Sequence, residues 1–264
     1  MRVSATRSLI PFLVPALYCA VAVMSIFWTP QDPFAMDVQL KLAKPSSAHW
    51  FGCDNFGRDV FSRTLIAVRY SMLFAALTLI LSLGVGVSIG LKSAYSHYLI
   101  DTFIMRIVDS LNAMPAILFA LVLSICVPKT SSFLANFALI ASLAIIFIPP
   151  FIRVSRNETL KIKELEYIQK AQMLGLSANK IVFSHILPNI KIPIASTSLI
   201  VCTNSIIVES TLSYLGLGIQ PPIPSLGRLI FDSQNYLLNA PHLALFPGIV
   251  MLVLIASFHW IKIK

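Results

Sequence analysis

The sequence predicts an all-α, polytopic membrane protein with six transmembrane helices, and three observations predict it. Of its 264 residues, 57% are hydrophobic and 12% charged, with a mean hydropathy of +0.82, a composition that excludes an ordinary soluble domain. The chain also holds six apolar runs close to the roughly 20 residues that a helix needs to cross a bilayer core. Finally, none of these runs alternates apolar and polar residues over about ten positions, as the strand of a membrane barrel would. Helices satisfy their own backbone groups in hydrocarbon, so helices follow.

The expected spans, in order, are about 9–28, 70–91, 106–127, 131–152, 191–210 and 237–258, all within one transmembrane domain covering 1–264. The first follows Arg2 and Arg7. It is long for the apolar core of a signal peptide and lacks a small-x-small cleavage site, so it reads as an uncleaved span. An outer loop, 29–69, leads to the second span, where Gly86 and Gly90 form a GxxxG that permits close helix approach. Arg106 and Asp109 are expected to pair at the start of the third span, and Pro115 to kink it. A cytoplasmic loop, 153–190, separates the fourth and fifth spans. The fifth contains Asn204 and ends at Glu209. Either residue could face a pathway, or Asn204 could bond between helices and Glu209 sit at the outer interface. The interface is the simpler place for Glu209, because a carboxylate in hydrocarbon costs at least about 2.5 kcal/mol. The sixth span carries only His242 as a polar titratable group.

Orientation follows from lysine and arginine. With the N-terminus in the cytoplasm, six spans return the C-terminus there, and thirteen of the 20 basic residues fall inside against seven outside. The net charge of +9 is dispersed between apolar runs and forms no nucleic-acid patch. Cys19, Cys53, Cys126 and Cys202 lie far apart, with no CxxC or zinc spacing, so neither a disulfide nor a metal site is expected. No GxxxxGK[ST], HExxH or GxSxG occurs. The chain therefore cradles no nucleotide by a P-loop and shows no catalytic constellation.

One stretch is unlike the rest. "EYIQKAQMLGLSANKIVFSHILPN", residues 166–189, is polar and helix-like. Tyr167, Ala171, Leu174 and Ala178 form one stripe of an amphipathic helix. Gly175 is placed to end it and Ser177 to cap a second short helix, while Pro188 disfavours helix at Leu187. Pattern alone leaves open whether this stretch lies on the lipid surface or docks another protein.

The residues themselves resemble a known family. Glu166, Ala171 and Gly175, followed by His185-Ile186-Leu187-Pro188-Asn189, resemble the cytoplasmic "EAA" loop of bacterial ABC importer permeases. "HWFGCDNFGRDVFSR", 49–63, is similar to the signature "HPLGTDNLGRDVLSR", and "ESTLSYLGLGIQPPIPSLG", 209–227, to "EASLSFLGLGVQPPTPSWG". Together they resemble the C-type permeases of dipeptide, oligopeptide and nickel importers. Gln169 and Lys170 depart from that pattern, and the chain ends at Lys264, where the family usually continues into a polar tail.

The resemblance implies an inner-membrane transport subunit that is not itself an enzyme. It implies a heterodimer with a second permease, two ABC ATPases carrying ATP and magnesium, and an external solute-binding protein. It also implies that Glu166, Tyr167, Ala171, Leu174, Gly175, His185, Leu187 and Pro188 couple the spans to the ATPase. Asp54, Asn55, Gly57, Arg58 and Asp59 then form an outer signature, either a rim that meets the binding protein or a turn held by internal salt bridges. Peptide is the expected substrate and nickel the alternative. A secondary transporter would need ion-coupling charges in mid-span, which are missing, and an intramembrane enzyme would need a catalytic pair there.

Overall fold

The computed structural model describes residues 10–126 and 132–261. The expected loop around Pro128 and Lys129 and both extreme termini, with Arg2, Arg7, Lys262 and Lys264, lie outside the described residues. The elements are helices α1 (Ile10–Phe27), α2 (Val60–Tyr95), α3 (Tyr98–Ala113), α4 (Ala116–Cys126), α5 (Ser132–Lys163), α6 (Glu166–Met173), α7 (Ala178–Ile181), α8 (Leu187–Tyr214), α9 (Leu226–Ser233) and α10 (His242–His259), with no named strand among the described residues. Four helical stretches are long and apolar enough to cross a membrane: Val60–Tyr95, Leu134–Lys163, Ala178–Tyr214 and His242–His259. The pair α3 and α4 qualifies jointly, and α1 is a shorter apolar helix.

The helices overrun the apolar runs that announce them. Helix α2 has 36 residues, about 54 Å at 1.5 Å per residue, well beyond a hydrocarbon core of about 30 Å. It starts ten residues before the expected second span because Asp59 caps it, its Oδ2 accepting from the Ser62 N–H at 2.7 Å. Helix α5 likewise continues eleven residues past 152, through Arg153, Arg156, Lys161 and Lys163. Lysine and arginine are good helix formers, so charge ends the apolar run without ending the helix. At the other extreme, α10 begins only at His242, after α9 and a 3₁₀ turn at Gln234–Tyr236.

The core is built on α2, α5 and α8, of which α2 and α5 pair most extensively. The GxxxG explains the closeness of that pair. A Cβ at Gly86 would lie 2.6 Å from Phe151 Cβ and 2.8 Å from the Ile148 carbonyl oxygen, and one at Gly90 2.5 Å from the Ile152 carbonyl oxygen. Phe74, Val87, Leu143, Phe147, Phe151 and Leu212 fill the layer between the three helices. Helices α1, α9 and α10 pack on the α2–α8 side around Ala67, Ile206, Leu229 and Leu254. Hydroxyls inside the bundle return their protons to the preceding turn, as Ser155 does to Phe151, Thr159 to Ser155 and Ser205 to Val201.

Three local expectations need correction. At Pro115 the third span is broken outright, with 91° between its halves, because Pro115 disfavours α conformation at Met114 (φ −83°, ψ 133°). Asp109 pairs with Arg153 of α5 at 2.7 Å rather than with Arg106; the partner comes from another helix, 44 residues away. Pro188 does not interrupt the chain. Leu187 is helical (φ −53°, ψ −43°), and α7 runs into α8 through a π turn, Val182–Ile186, in which the Leu187 N–H reaches the Val182 carbonyl five residues back. That wider turn moves the Ser184 carbonyl out of the way of the proline ring.

Candidate functional site

Two places gather the residues that the sequence singled out, and they lie at opposite ends of α2. The first is the segment 164–189, beside the C-terminal ends of α2 and α5. It is anchored there by Lys163, whose Nζ donates to the Ala94 carbonyl at 2.7 Å and stands 4.3 Å from the Tyr95 ring centroid. Helix α6 ends in a Schellman motif: the Leu176 N–H bonds the Ala171 carbonyl at 3.2 Å and the Gly175 N–H the Gln172 carbonyl at 3.0 Å. The motif requires a left-handed residue at Gly175, whose φ is +81°. Ser177 then caps α7, accepting from the Lys180 N–H. The expected helix–bend–helix is therefore present in its first half, and the second helix merges into the span.

The face of this segment that meets the bundle was not legible as a stripe. Ile168, Ile181, Ile186 and Ile190 are fully buried together beneath it, with Ile162 of α5. The stripe expected from spacing faces away: Leu174 is 81% exposed and Tyr167 nearly half exposed, with Met173 (86%) and Phe183 (69%) beside them and Ala171 half-buried. Glu166 is exposed, its carboxylate 3.6 Å from Lys170 Nζ. Tyr167 stands edge-on to His185, with ring centroids 6.2 Å apart, and its hydroxyl accepts from Asn189 Nδ2. Leu187 packs inward and Pro188 is exposed. With Leu165, which is exposed to the same degree as Tyr167, the loop thus presents five large apolar side chains on an otherwise polar surface, held from below by a small core of isoleucines.

Close by, Asp101 of α3 receives two hydrogen bonds from Arg156 of α5, Nε at 2.6 Å and Nη2 at 2.5 Å, and one from Ser93 of α2. This three-helix junction was missed, because nothing in a single sequence pairs residues 55 apart.

The second place is the segment before α2. In "DNFGRD", Asp54 Oδ1 accepts from the Phe56 and Arg58 N–H groups, and Oδ2 takes Arg58 Nε at 2.7 Å. Gly57 has φ +77°, and a Cβ there would overlap the Asp37 carbonyl. Asp59 caps α2 and also binds His49 Nδ1 at 2.9 Å. The signature is thus an internally bonded turn. Cys53 lies buried inside it, and burial together with Asp59, Asp54 and Asp37 pushes its thiol up to about 11. Asn55, on the open side of the turn, lines a cavity of about 460 Å³ shared with Arg58, Arg63, Arg228, Phe231 and the 221–223 segment. The two signature stretches outside the loop therefore meet across one hollow.

Glu209 lies five residues before the end of α8 and is 1% exposed. Its carboxylate accepts from Ser213 at 2.7 Å, Ser71 of α2 at 3.3 Å and Ser210 at 3.4 Å. Hydroxyl donors hold the carboxylate inside the protein, where it links α8 to α2. Asn204 sits half-buried in the same helix. No group of three or more metal-ligating residues occurs among the described residues.

Residues 82–262 match the family described as "binding-protein-dependent transport system inner membrane component". A glutathione transport system permease protein of Pectobacterium atrosepticum is 37% identical over 215 residues, spanning 81% of this chain and 70% of the relative. A dipeptide transport system permease protein of Alkalihalophilus pseudofirmus is 31% identical over 255 residues, 96% of this chain and 82% of the relative. A putative peptide transport system permease protein of Brucella suis is 35% identical over 233 residues, 88% and 76% respectively. Among solved structures, the fold matches a chain of the inward-facing MetNI methionine ABC transporter with a TM-score of 0.60 at 16% identity, covering 74% of this chain and 90% of that one.

Proposed function

The chain belongs to the family of binding-protein-dependent transport system inner membrane components, and on that premise we propose that it forms half of the translocation pathway of an ABC importer for peptides. It is a multi-pass membrane protein and a transport component. In the proposed assembly it pairs with a second, related permease. Two cytoplasmic ATPases bind the ATP and magnesium that this chain has no P-loop to hold, and a solute-binding protein delivers substrate from outside. The six spans of that assembly are the four long helices, the bent α3–α4 pair and α1. Both termini and the segment 153–190 face the cytoplasm of a bacterial cell, with 29–59 outside.

The observation that carries this reading is the exposed apolar face of α6 and its neighbour, Tyr167, Met173, Leu174 and Phe183, raised on a polar segment at the end of the long helices α5 and α8. Large apolar side chains grouped on a polar surface mark a place where another protein docks. Swinging a two-state transporter from 1:99 to 99:1 takes about 5.5 kcal/mol of differential interaction, and in this assembly that energy enters through the loop. Peptide as substrate is supported by the dipeptide, peptide and glutathione permeases among the relatives.

The test is reconstitution of this chain with its permease and ATPase partners in liposomes, with the binding protein outside. Uptake of a labelled dipeptide should require ATP and the binding protein. Uptake driven by an ion gradient without ATP would end the importer reading, and ATP-driven uptake of nickel but not peptide would end the peptide assignment.

A further inference from the structure

The cavity between the two signature stretches is built in a way that the coupling mechanism does not use. Three guanidinium groups, of Arg58, Arg63 and Arg228, line it. Arg58 is paired with Asp54 at 2.7 Å, and Arg228 with Asp232 at 2.9 Å. Among the described residues Arg63 has no comparable partner. Its Nε stands 3.7 Å from Asp54 Oδ2, too far for a hydrogen bond, and its Nη1 donates only to the Pro33 carbonyl at 3.3 Å. Arg63 is nevertheless 3% exposed, and a buried guanidinium with few acceptors is costly without an anion. Three arginines against two aspartates leave the hollow one positive charge in excess. The rest of its wall is apolar and amide-bearing: Phe231 stacks under Arg228 at 4.9 Å, and Tyr236 and Asn55 close the sides.

We propose that this cavity is an acceptor subsite for the free α-carboxylate of a short peptide at the mouth of the pathway. The inference rests on the peptide reading above and adds to it a place and a recognised group. Guanidinium is the side chain whose fork matches a carboxylate. A single excess charge suits a single carboxylate, and the apolar wall suits a terminal side chain. At about 460 Å³ the hollow has the volume of a small-molecule site, which runs from about 300 to 1,000 Å³. One acidic side chain of a docked protein would leave most of it empty, so size favours a small peptide over a protein surface.

The experiment uses the importer purified with its partner subunits in nanodiscs, without the binding protein, titrated with alanyl-phenylalanine and with its C-terminal amide. The free acid should bind at least about tenfold more tightly than the amide. Arg228→Gln should bring the acid down to the level of the amide, while Arg228→Lys, which keeps the charge without the fork, should fall between. Equal binding of acid and amide by the wild-type complex, or no binding of either, overturns the proposal whatever the variants do. So does a variant that loses the binding protein in a pull-down yet keeps the acid-over-amide preference, an outcome that gives the hollow to protein docking. Dipeptide uptake by the complete importer is measured beside it. If uptake persists while acid and amide bind alike, the subsite falls and the peptide reading stands.

Discussion

Gly175 offers the sharpest test of the coupling loop, because the structure separates the two ways a substitution there could act. A Cβ at Gly175 meets nothing within 4 Å, so Gly175→Val brings no clash. What it brings is conformational. The Schellman turn holds this residue at φ +81°, and a non-glycine residue in the left-handed region costs about 1–2 kcal/mol, more for a β-branched one. For valine, at or beyond the upper end of that range, the ratio of bent to unbent loop falls by about thirty-fold or more. The bend determines where Met173 and Leu174 point, so the docking face is displaced while the isoleucine core beneath stays intact. Gly175→Val should therefore insert and assemble, but uptake and substrate-stimulated ATP hydrolysis in the reconstituted complex should fall strongly, by up to about thirty-fold or more. Gly175→Asn is the control, since asparagine tolerates the left-handed region, and should stay close to wild type. Glu166→Lys, at an exposed position, should likewise leave insertion unchanged and lower transport. Wild-type transport by Gly175→Val, or equal inactivity of the valine and asparagine variants, would refute the reasoning.

Three further outcomes are expected. Reporter fusions after Pro128 or at Ser225 should read as outside and one at Lys163 as inside; an outside signal at Lys163 removes the coupling loop from the cytoplasm. Gly90→Leu should lower the melting temperature in detergent, because its Cβ falls 2.5 Å from the Ile152 carbonyl oxygen and overpacking typically costs about 1–3 kcal/mol. Gly84→Ala, with nothing within 4 Å, should not lower it comparably, and equal losses would show that the α2–α5 contact is not the cause. Glu209→Leu should destabilise more than Glu209→Gln, since glutamine keeps one acceptor oxygen where leucine takes the acceptors of both Ser71 and Ser213, at about 1–3 kcal/mol for each unsatisfied buried group. Equal melting temperatures would show that the hydroxyl shell contributes nothing.

What was legible in the sequence is what is decided within a few residues. The Schellman turn at Gly175, the Ser177 cap and the Asp54–Arg58 turn depend on side chains bonding their own backbone neighbourhood, and the GxxxG of α2 needs only the absence of side chains. The misread features each depend on something remote or on backbone register. Asp109 takes Arg153 because α3 lies along α5, and Asp101 finds Arg156 for the same reason. Pro188 sits in a helix because a π turn precedes it, and no residue type announces a π turn. The burial of Glu209 rests on a donor, Ser71, that is 138 residues away. The buried face of the loop was hidden by its break at Gly175: Ile168 lies before the turn and Ile181 and Ile186 after it, so no single helical period contains them.

The same contacts indicate how a movement of the loop would travel. From Ala178 to Tyr214 the chain is one continuous helix of 37 residues, about 55 Å long, with the isoleucine core fastening its near end to α5 and the Glu209–Ser71 contact fastening its far end to α2. Helices α2 and α5 are in turn locked by the glycine contact. A force on the exposed face of α6 therefore meets α2, α5 and α8 as one body, and Asp101 on Arg156 carries α3 with them. Helix α4 follows α3 across the 91° break at Pro115, yet it packs back on α5 and α8, with Ala120 buried in the same core as Leu139 and Leu143. The break at Pro115 therefore redirects the chain without freeing it: close packing is bistable rather than continuously deformable, so α4 would move with α5 and α8 under any force that enters through the loop.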